Sequence, residues 1–482
     1  MSINLHVNAS VNVADAIANR AVFGRAMVIG EHSITGNRQD GPYSSLASVV
    51  SAGFTSSAAP EIHGWASRIF AQPRPRTSQV MIGRRAAAEH LATALDAIEL
   101  VDPAAWYCSN VLLNTPNEIL ALAAWTESRF KIAIAQSSSA AMLAGTASTA
   151  LVERFAFGGT ATDGTYSIAV RNAWTNALIG TATVVRAAGS PATNSDLATA
   201  MRTAWDGVAA LAAISSPAAG AGANVDITFD GLGNGYTFTT SAPAPGTLVA
   251  SEIGTQVQNP GELGSSLAYH RTALAYHDDD SEYLDAAWTS RCLGFDLDAP
   301  GGAGTWSYQR FAGITATRLQ DAQKSTLMGY PVNFYSPVRF TSGVEDPGVM
   351  FPGQMLSGRF IDVTTSLDIL QARIEEAILG VLTRAASLGK KIPYTDQGIA
   401  QMQGPAMGVL GRLVKAGHFA DKAVSSLTGR TTPYIDVPLA SEVSTADKAA
   451  RRLTMSGEAV LAGAINSVGD EATVGLTIDV SF

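Results

Sequence analysis

Apolar and polar residues alternate at both extremes of the chain. Near the start, Ile3, Leu5, Val7, Ala9, Val11 and Val13 are interleaved with Asn4, His6, Asn8, Ser10 and Asn12. Near the end, Val474, Leu476, Ile478 and Val480 are interleaved with Thr473, Gly475, Thr477, Asp479 and Ser481. A period of two puts every second side chain on one face of an extended chain, so each stretch predicts a full β-strand. Terminal residues fray unless something ties them down. These two strands therefore either pair within their own sheet or reach out as arms to a neighbouring molecule.

Between the ends the pattern changes repeatedly. Residues 26–30 and 78–83 read as short buried strands, the second following the proline-broken run Gln72-Pro73-Arg74-Pro75. Residues 106–113, 116–129 and 131–136 read as strand, helix and strand, a βαβ unit that implies an α/β core with some parallel pairing. From 157 to 264 the chain lacks lysine and histidine and is rich in glycine, threonine and alanine. Residues 166–170 and 179–186 predict one hairpin. Asn194, Ser195 and Asp196 offer a cap for a helix carrying Leu197, Met201, Trp205, Val208 and Leu211. Val225, Ile227 and Phe229, a glycine turn at 231–235, then Tyr236 and Phe238 predict a second hairpin. That pattern is ββαββ, a small unit inserted into the main one.

Beyond it, residues 267–276 read as a strand and 281–293 as a helix turning Leu284, Ala287, Trp288 and Cys292 inward. A long amphipathic helix covers 365–387, with Leu367, Leu370, Ile374, Ile378, Val381 and Leu382 on one face and Gly389 as its stop. Another helix spans 396–415, broken or kinked near Pro405, and a shorter one spans 445–455. The expected fold class is α/β, mixed with α+β, in several domains. The segments are an N-terminal arm (1–20), an α/β domain in two parts (21–156 and 265–356), the insertion (157–264), a helical or mixed C-terminal domain (357–470) and a C-terminal arm (471–482).

Composition narrows the function. Of 482 residues only 15% are charged, against about 25% in an average soluble protein. A subunit covered by lattice neighbours has such a surface, and so does a bland Ala/Gly-rich protein. A formal net charge of −9 argues against nucleic-acid binding, which needs a basic stripe. Lysines are absent between Lys131 and Lys324 but recur at Lys390, Lys391, Lys415, Lys422 and Lys448, which predicts a basic face in the C-terminal region. Cys108 and Cys292 are isolated thiols without metal-ligand spacing, as expected in a reducing compartment. The chain has no basic-then-apolar leader and no run long enough to span a membrane, so synthesis in a cytoplasm and no membrane insertion are expected.

The motifs that could carry chemistry are weak. Asp278-Asp279-Asp280 with Glu282, beside His277, lacks the alternating ligands and glycine of a calcium loop and suits a helix start. Gly301-Gly302-Ala303-Gly304-Thr305 lacks the Lys-Ser/Thr ending of a phosphate loop. Ser387-Leu388-Gly389-Lys390 matches the Ser-x-x-Lys pattern, but the serine sits at a helix end rather than its start. His270 and His277 fall on opposite faces of the predicted strand. No catalytic, cofactor or metal residues are assigned.

Taken in order, several stretches resemble the sheath proteins of contractile, myovirus-type phage tails. They are Val28-Ile29-Gly30 with Arg38 and Tyr43, and Ile69-Phe70-Ala71-Gln72-Pro73-Arg74-Pro75, similar to a phenylalanine-x-glutamine-x-proline approach to a strand ending in Gly83-Arg84. Tyr283-Leu284-Asp285-Ala286-Ala287-Trp288, Phe360-Ile361-Asp362, Lys391-Ile392-Pro393-Tyr394-Thr395-Asp396 and Leu461-Ala462-Gly463-Ala464-Ile465 follow. Asn466 departs from the family, where a histidine commonly follows the Ala-Ile pair. The resemblance covers nearly the whole chain outside the insertion, and its order carries it rather than any one motif.

The resemblance implies a non-enzymatic subunit without cofactors, made in the host cytoplasm and built into a virion. It implies six-subunit rings stacked helically around a tail tube, which contract to drive the tube through the host envelope. Both arms lie on one polypeptide, unlike two-chain secretion-system sheaths. The implied partners are other copies of the chain, the tail tube protein, and the baseplate and tail terminator proteins. Inter-subunit arm contacts fall to Ile3, Leu5, Val7, Val11, Val13, Val474, Leu476, Ile478 and Val480, and tube-facing basic residues to Arg384, Lys390, Lys391 and Lys415. Two alternatives stand beside this: another self-assembling tail or shell component, and a hydrolase with an α/β core, which requires an activated nucleophile.

Overall fold

The computed structural model describes residues 5–12, 23–73, 79–338, 348–463 and 473–481. Its centre is an eight-stranded sheet built from β2 (Arg25–Glu31), β3 (Gln39–Tyr43), β4 (Gln79–Arg85), β5 (Cys108–Val111), β6 (Ile132–Ser137), β14 (Thr272–Tyr276), β15 (Asn333–Ser336) and β16 (Val349–Phe351). The order is β16-β15-β14-β6-β5-β2-β4-β3. Pairing is parallel from β4 through β2, β5, β6 and β14 to β15, with antiparallel strands at both edges. The chain winds outward from β2 first to one side and then to the other, a doubly wound order.

Both faces of this sheet are buried, as parallel strands require. Alternation along each strand divides the core in two: Ala26, Val28, Ile132 and Ile134 join one apolar cluster, and Met27, Ile29, Ala133 and Ala135 join the other. The first cluster is closed by α2 (Pro60–Ala71), α9 (Leu284–Leu293), α11 (Ile361–Ser387) and α12 (Asp396–Ala416). The second is closed by α3 (Leu91–Glu99), α4 (Pro116–Glu127) and neighbouring turns. The helix α4 starts where Pro116 follows its N-cap Thr115, whose hydroxyl accepts the Glu118 N–H. The helix α12 runs unbroken through Pro405 and ends at Gly417, whose φ of 94° only glycine adopts without strain.

The inserted unit departs from the expected ββαββ pattern. It has seven strands: β7 (Ala150–Gly158), β8 (Gly164–Asn172), β9 (Leu178–Arg186), β10 (Ser215–Ala219), β11 (Asn224–Leu232), β12 (Tyr236–Ser241) and β13 (Thr247–Glu252). They form two sheets, β10-β11-β7-β13 and β12-β8-β9, around an apolar core with α6 (Asn194–Asp206). The β8–β9 hairpin is present. The expected β11–β12 hairpin is not: β11 pairs with β7 and β10, while β12 crosses to β8. The turn between them docks on the body, with Gly235 tight against Asn117, and this contact redirects the chain to the other sheet.

Two further boundaries differ from expectation. Residues 267–276 are not one strand: α8 (Pro260–Ser266) and a turn precede β14, so His270 lies before the strand and His277 just after it. The helix expected over 445–455 stops at Ala449, as α13 (Thr445–Ala449). Arg451 turns left-handed at φ 54°, and Leu453 opens strand β18 (Leu453–Val460).

Candidate assembly surface

A second sheet gathers both ends of the chain. Its order is β1-β19-β18-β17, with β1 at Leu5–Asn12, β17 at Tyr434–Asp436 and β19 at Thr473–Ser481. The two terminal strands are parallel nearest neighbours, running in register from Leu5 opposite Val474 to Asn12 opposite Ser481. On its other side β19 pairs antiparallel with β18, from Val460 opposite Thr473 to Leu453 opposite Val480. Of the two possibilities open in the sequence, this molecule has its terminal strands paired within its own sheet.

Register explains why the alternation matches at the two ends. Leu5, Val7 and Val11 stand opposite Val474, Leu476 and Val480, and Ala9 stands opposite Ile478. Continuing across β19, Val474, Ile478 and Val480 stand opposite Ala459, Met455 and Leu453, which are 1%, 1% and 5% exposed. The apolar positions of all three strands are therefore in register. Ile3 and Val13 lie outside the described residues. The strand β1 runs beside the long helix α11.

The connection into β19 is long for what it joins. Val460 and Thr473 are direct partners, about 5 Å apart as paired residues are, and a hairpin loop of 2–5 residues closes such a pair. Residues 461–472 lie between them instead, a span of roughly 40 Å when extended.

A basic margin sits at the far end of α11. The turn between α11 and α12 walls a concavity of ≈ 670 Å³ that brings Arg384, Lys390, Lys391 and Arg412 together, with Glu376 as its acidic member. A second hollow of ≈ 650 Å³ shares Lys390 and Lys391 and adds Lys448 and Arg451. Lys415 is exposed one turn beyond Arg412 and lines neither hollow; its carbonyl accepts the Gly301 N–H at 3.0 Å. Arg412 and Arg451 escaped the sequence reading, although Arg412 lies three residues before Lys415 on the same helix.

The motifs that resembled chemistry serve the framework. The glycine-rich loop caps α12, with Gly301 and Ala303 N–H groups donating to the last carbonyls at Lys415 and Ala416. The acidic run organises the exit from β14. Asp278 accepts from Thr317 at 2.6 Å, Asp279 caps Ser281, Asp280 accepts from Ser138 at 2.9 Å and Glu282 accepts from Thr315 at 2.7 Å. His277 is buried, with its ring nitrogens 2.8 Å from the carbonyls of Asp279 and Thr315. The Ser387 hydroxyl donates to the Arg384 carbonyl in the last turn of α11.

Doubly wound sheets bind ligands in the crevice where the winding reverses, at the carboxyl ends of their strands. Here that point lies between β2 and β5, where Leu112 and Ile62 pack closely on Gly30. A side chain at Gly30, the end of β2, would meet Leu112 Cδ1 at 2.6 Å and Ile62 Cγ1 at 3.3 Å.

No protein-family model and no curated protein matches the sequence. Among solved structures the chain is similar to a sheath tail protein from Listeria innocua, with a TM-score of 0.40 and 8% sequence identity over 97% of this chain and 98% of that one.

Proposed function

We propose that this chain is a structural subunit of a contractile phage tail sheath, polymerising as stacked six-membered rings around a tail tube. The observation behind this reading is the terminal sheet. Strands from the two extremes of the chain are nearest neighbours, and β19 hangs on far more chain than its pairing needs. A β19 strand delivered by one copy into the β1–β18 gap of the next would remake every ladder bond in the same register. The exchange therefore costs association entropy and little else, and repetition of a non-closing contact builds a helical polymer.

In this proposal the exchanged strands stay paired while the bodies rotate past one another, and contraction draws on a metastable first packing rather than on a nucleotide. The basic margin of Arg384, Lys390, Lys391 and Arg412 faces the tube. Baseplate and terminator proteins would meet the two ends of the polymer, and the finished product belongs to the virion.

Negative-stain images of the purified chain at high concentration test the proposal. Wide hollow tubes support it. Closed shells would favour the other self-assembling reading, and a monodisperse monomer at all concentrations, alone and with tube protein, would overturn both.

A further inference from the structure

Glu153 is a carboxylate facing the wrong way. It lies on β7 in the same alternating series as the buried Leu151, Phe155 and Phe157, and it is 5% exposed. Its direct partner on β11 is the fully buried Ile227, and its direct partner on β13 is Glu252. Two carboxylates thus stand opposite each other across an antiparallel pair, at the spacing where like charges destabilise a sheet. The strand β13 is the edge of that sheet, so it has one ladder and no second to hold it.

No cation compensates the pair among the described residues. Arg154 is spent on Asp226 of β11, at 2.7 and 2.8 Å. The strand β10 carries no titratable residue. The helix α6, packed against β7, turns Leu197, Ala198, Met201 and Trp205 into the core. Its Asp196 carboxylate accepts from the N–H of the N-cap Thr193, Asp206 is exposed, and Arg202 donates to Thr199. Burial, and then the Glu252 charge, push the Glu153 carboxyl up to about 7.

We propose that Glu153 and Glu252 form a proton-operated clasp on the edge strand of the inserted unit, with protonation of Glu153 holding β13 in its sheet. What the clasp controls follows from chain order. Residues 253–259 run directly from β13 to the body: Ile253 N–H still donates to Val152 of β7, Val257 then pairs with Thr149, and Gln258 donates to Asn117 of the body. Loosening β13 slackens the segment that fixes how the unit sits on the body. The folded-state value lies above that of an ordinary glutamate. The stabilisation is therefore full below about 4.5 and is lost as pH rises through about 7, with no further change above that.

Backbone hydrogen exchange of residues 247–258 in the full chain tests this, read as the ratio of wild-type to E153Q protection at each pH so that intrinsic exchange cancels. Relative to E153Q, wild-type protection is expected to fall on the order of tenfold between pH 5 and 7.5. E252Q should reduce that change measurably, though by less than half, because burial outweighs the facing charge. A wild-type to E153Q ratio that is flat across this range overturns the proposal. So does an equal pH dependence in E252Q. If E153Q fails to fold by circular dichroism, the same comparison with E252Q as reference decides, and a flat ratio there is equally fatal.

Discussion

Arg271 clamps Asp368 through two hydrogen bonds of 2.9 Å each, across the seam between the central sheet and the long helix α11. Tyr107, beside β5, donates to the same carboxylate at 2.7 Å. The Asp368 side chain is 3% exposed, so three distant segments meet at one buried charge. Removing either partner leaves the other desolvated without its counter-charge. Asp368→Ala is expected to cost roughly 3 kcal/mol, read as a lower denaturation midpoint. Arg271→Lys should recover only part of the loss, because an ammonium cannot reproduce the two-pronged grip.

Asp285 makes stability depend on pH in a known direction. It is buried beneath α2, accepting from Trp65 Nε1 and Asn110 Nδ2 at 3.1 Å each, and burial pushes its carboxyl up to about 6. Because the folded-state value is raised, the protonated form is favoured. Its contribution is full below about 4 and is lost as pH rises through 6. Asp285→Asn keeps an acceptor for both donors and cannot ionise. The difference between wild-type and variant unfolding free energies should shift by roughly 2 kcal/mol between pH 4.5 and 7.5, measured by urea denaturation.

Strand exchange has a covalent signature. Ala9 and Ile478 are direct partners on β1 and β19, and the native Cys108 and Cys292 are buried. With cysteines at both positions, oxidation of the monomer should give an internal bridge and unchanged mobility on a non-reducing gel. Oxidation of the polymer should give a ladder of linked chains. Linked chains absent from a bona fide polymer would place the exchange elsewhere.

Exposed charge at the basic margin should matter to a partner and not to the fold. Lys390 and Lys391 are both exposed, so Lys390→Glu with Lys391→Glu should move unfolding by less than about 0.5 kcal/mol. Co-sedimentation with tube protein should drop markedly and become less dependent on salt.

One aromatic residue of the inserted unit is seated in the body. Trp174, at the tip of the β8–β9 hairpin, is 7% exposed within the body's second core cluster, and its Nε1 donates to Asn117 at 3.1 Å. His90 Nε2 lies 2.6 Å from the Ala173 carbonyl. Replacing residues 150–256 with a short Gly/Ser linker should leave a folded body, because Thr149 and Val257 are already hydrogen-bonded neighbours. That body should melt earlier than the full chain, since the Trp174 socket on α3 and α4 becomes exposed. Trp174→Ala should reproduce most of the loss, on the order of 3 kcal/mol.

Periodicity made the doubly wound core and the terminal strands legible. The strands β2 and β4, the β5-α4-β6 unit and both long helices stand close to where alternation and capping put them. What failed was local pattern under long-range control. Gly231 to Gly235 looked like a hairpin turn, yet the docking of Gly235 against Asn117 sends β12 to another sheet. Leu453 and Met455 have the two-residue spacing of a strand, but the left-handed Arg451 that ends the helix before them has no signature in sequence. Arg412 and Arg451 join Lys390 only because a helical hairpin and a returning loop converge, which no window along the chain contains. Glu153 carried the clearest missed signal, a lone acid in phase with Leu151, Phe155 and Phe157.

The hydrogen-bonded neighbours Thr149 and Val257 also bear on how the central sheet closes. The adjacent strands β6 and β14 are separated in sequence by everything from 138 to 271. If the intervening unit folds first, its ends arrive already side by side. The chain left to close then consists of residues 138–149 and 257–271 alone. Loop-closure entropy falls with the logarithm of that length, a saving of roughly 1 kcal/mol. A unit that decorates the finished molecule would then serve, during folding, as the staple that brings the middle of the sheet together.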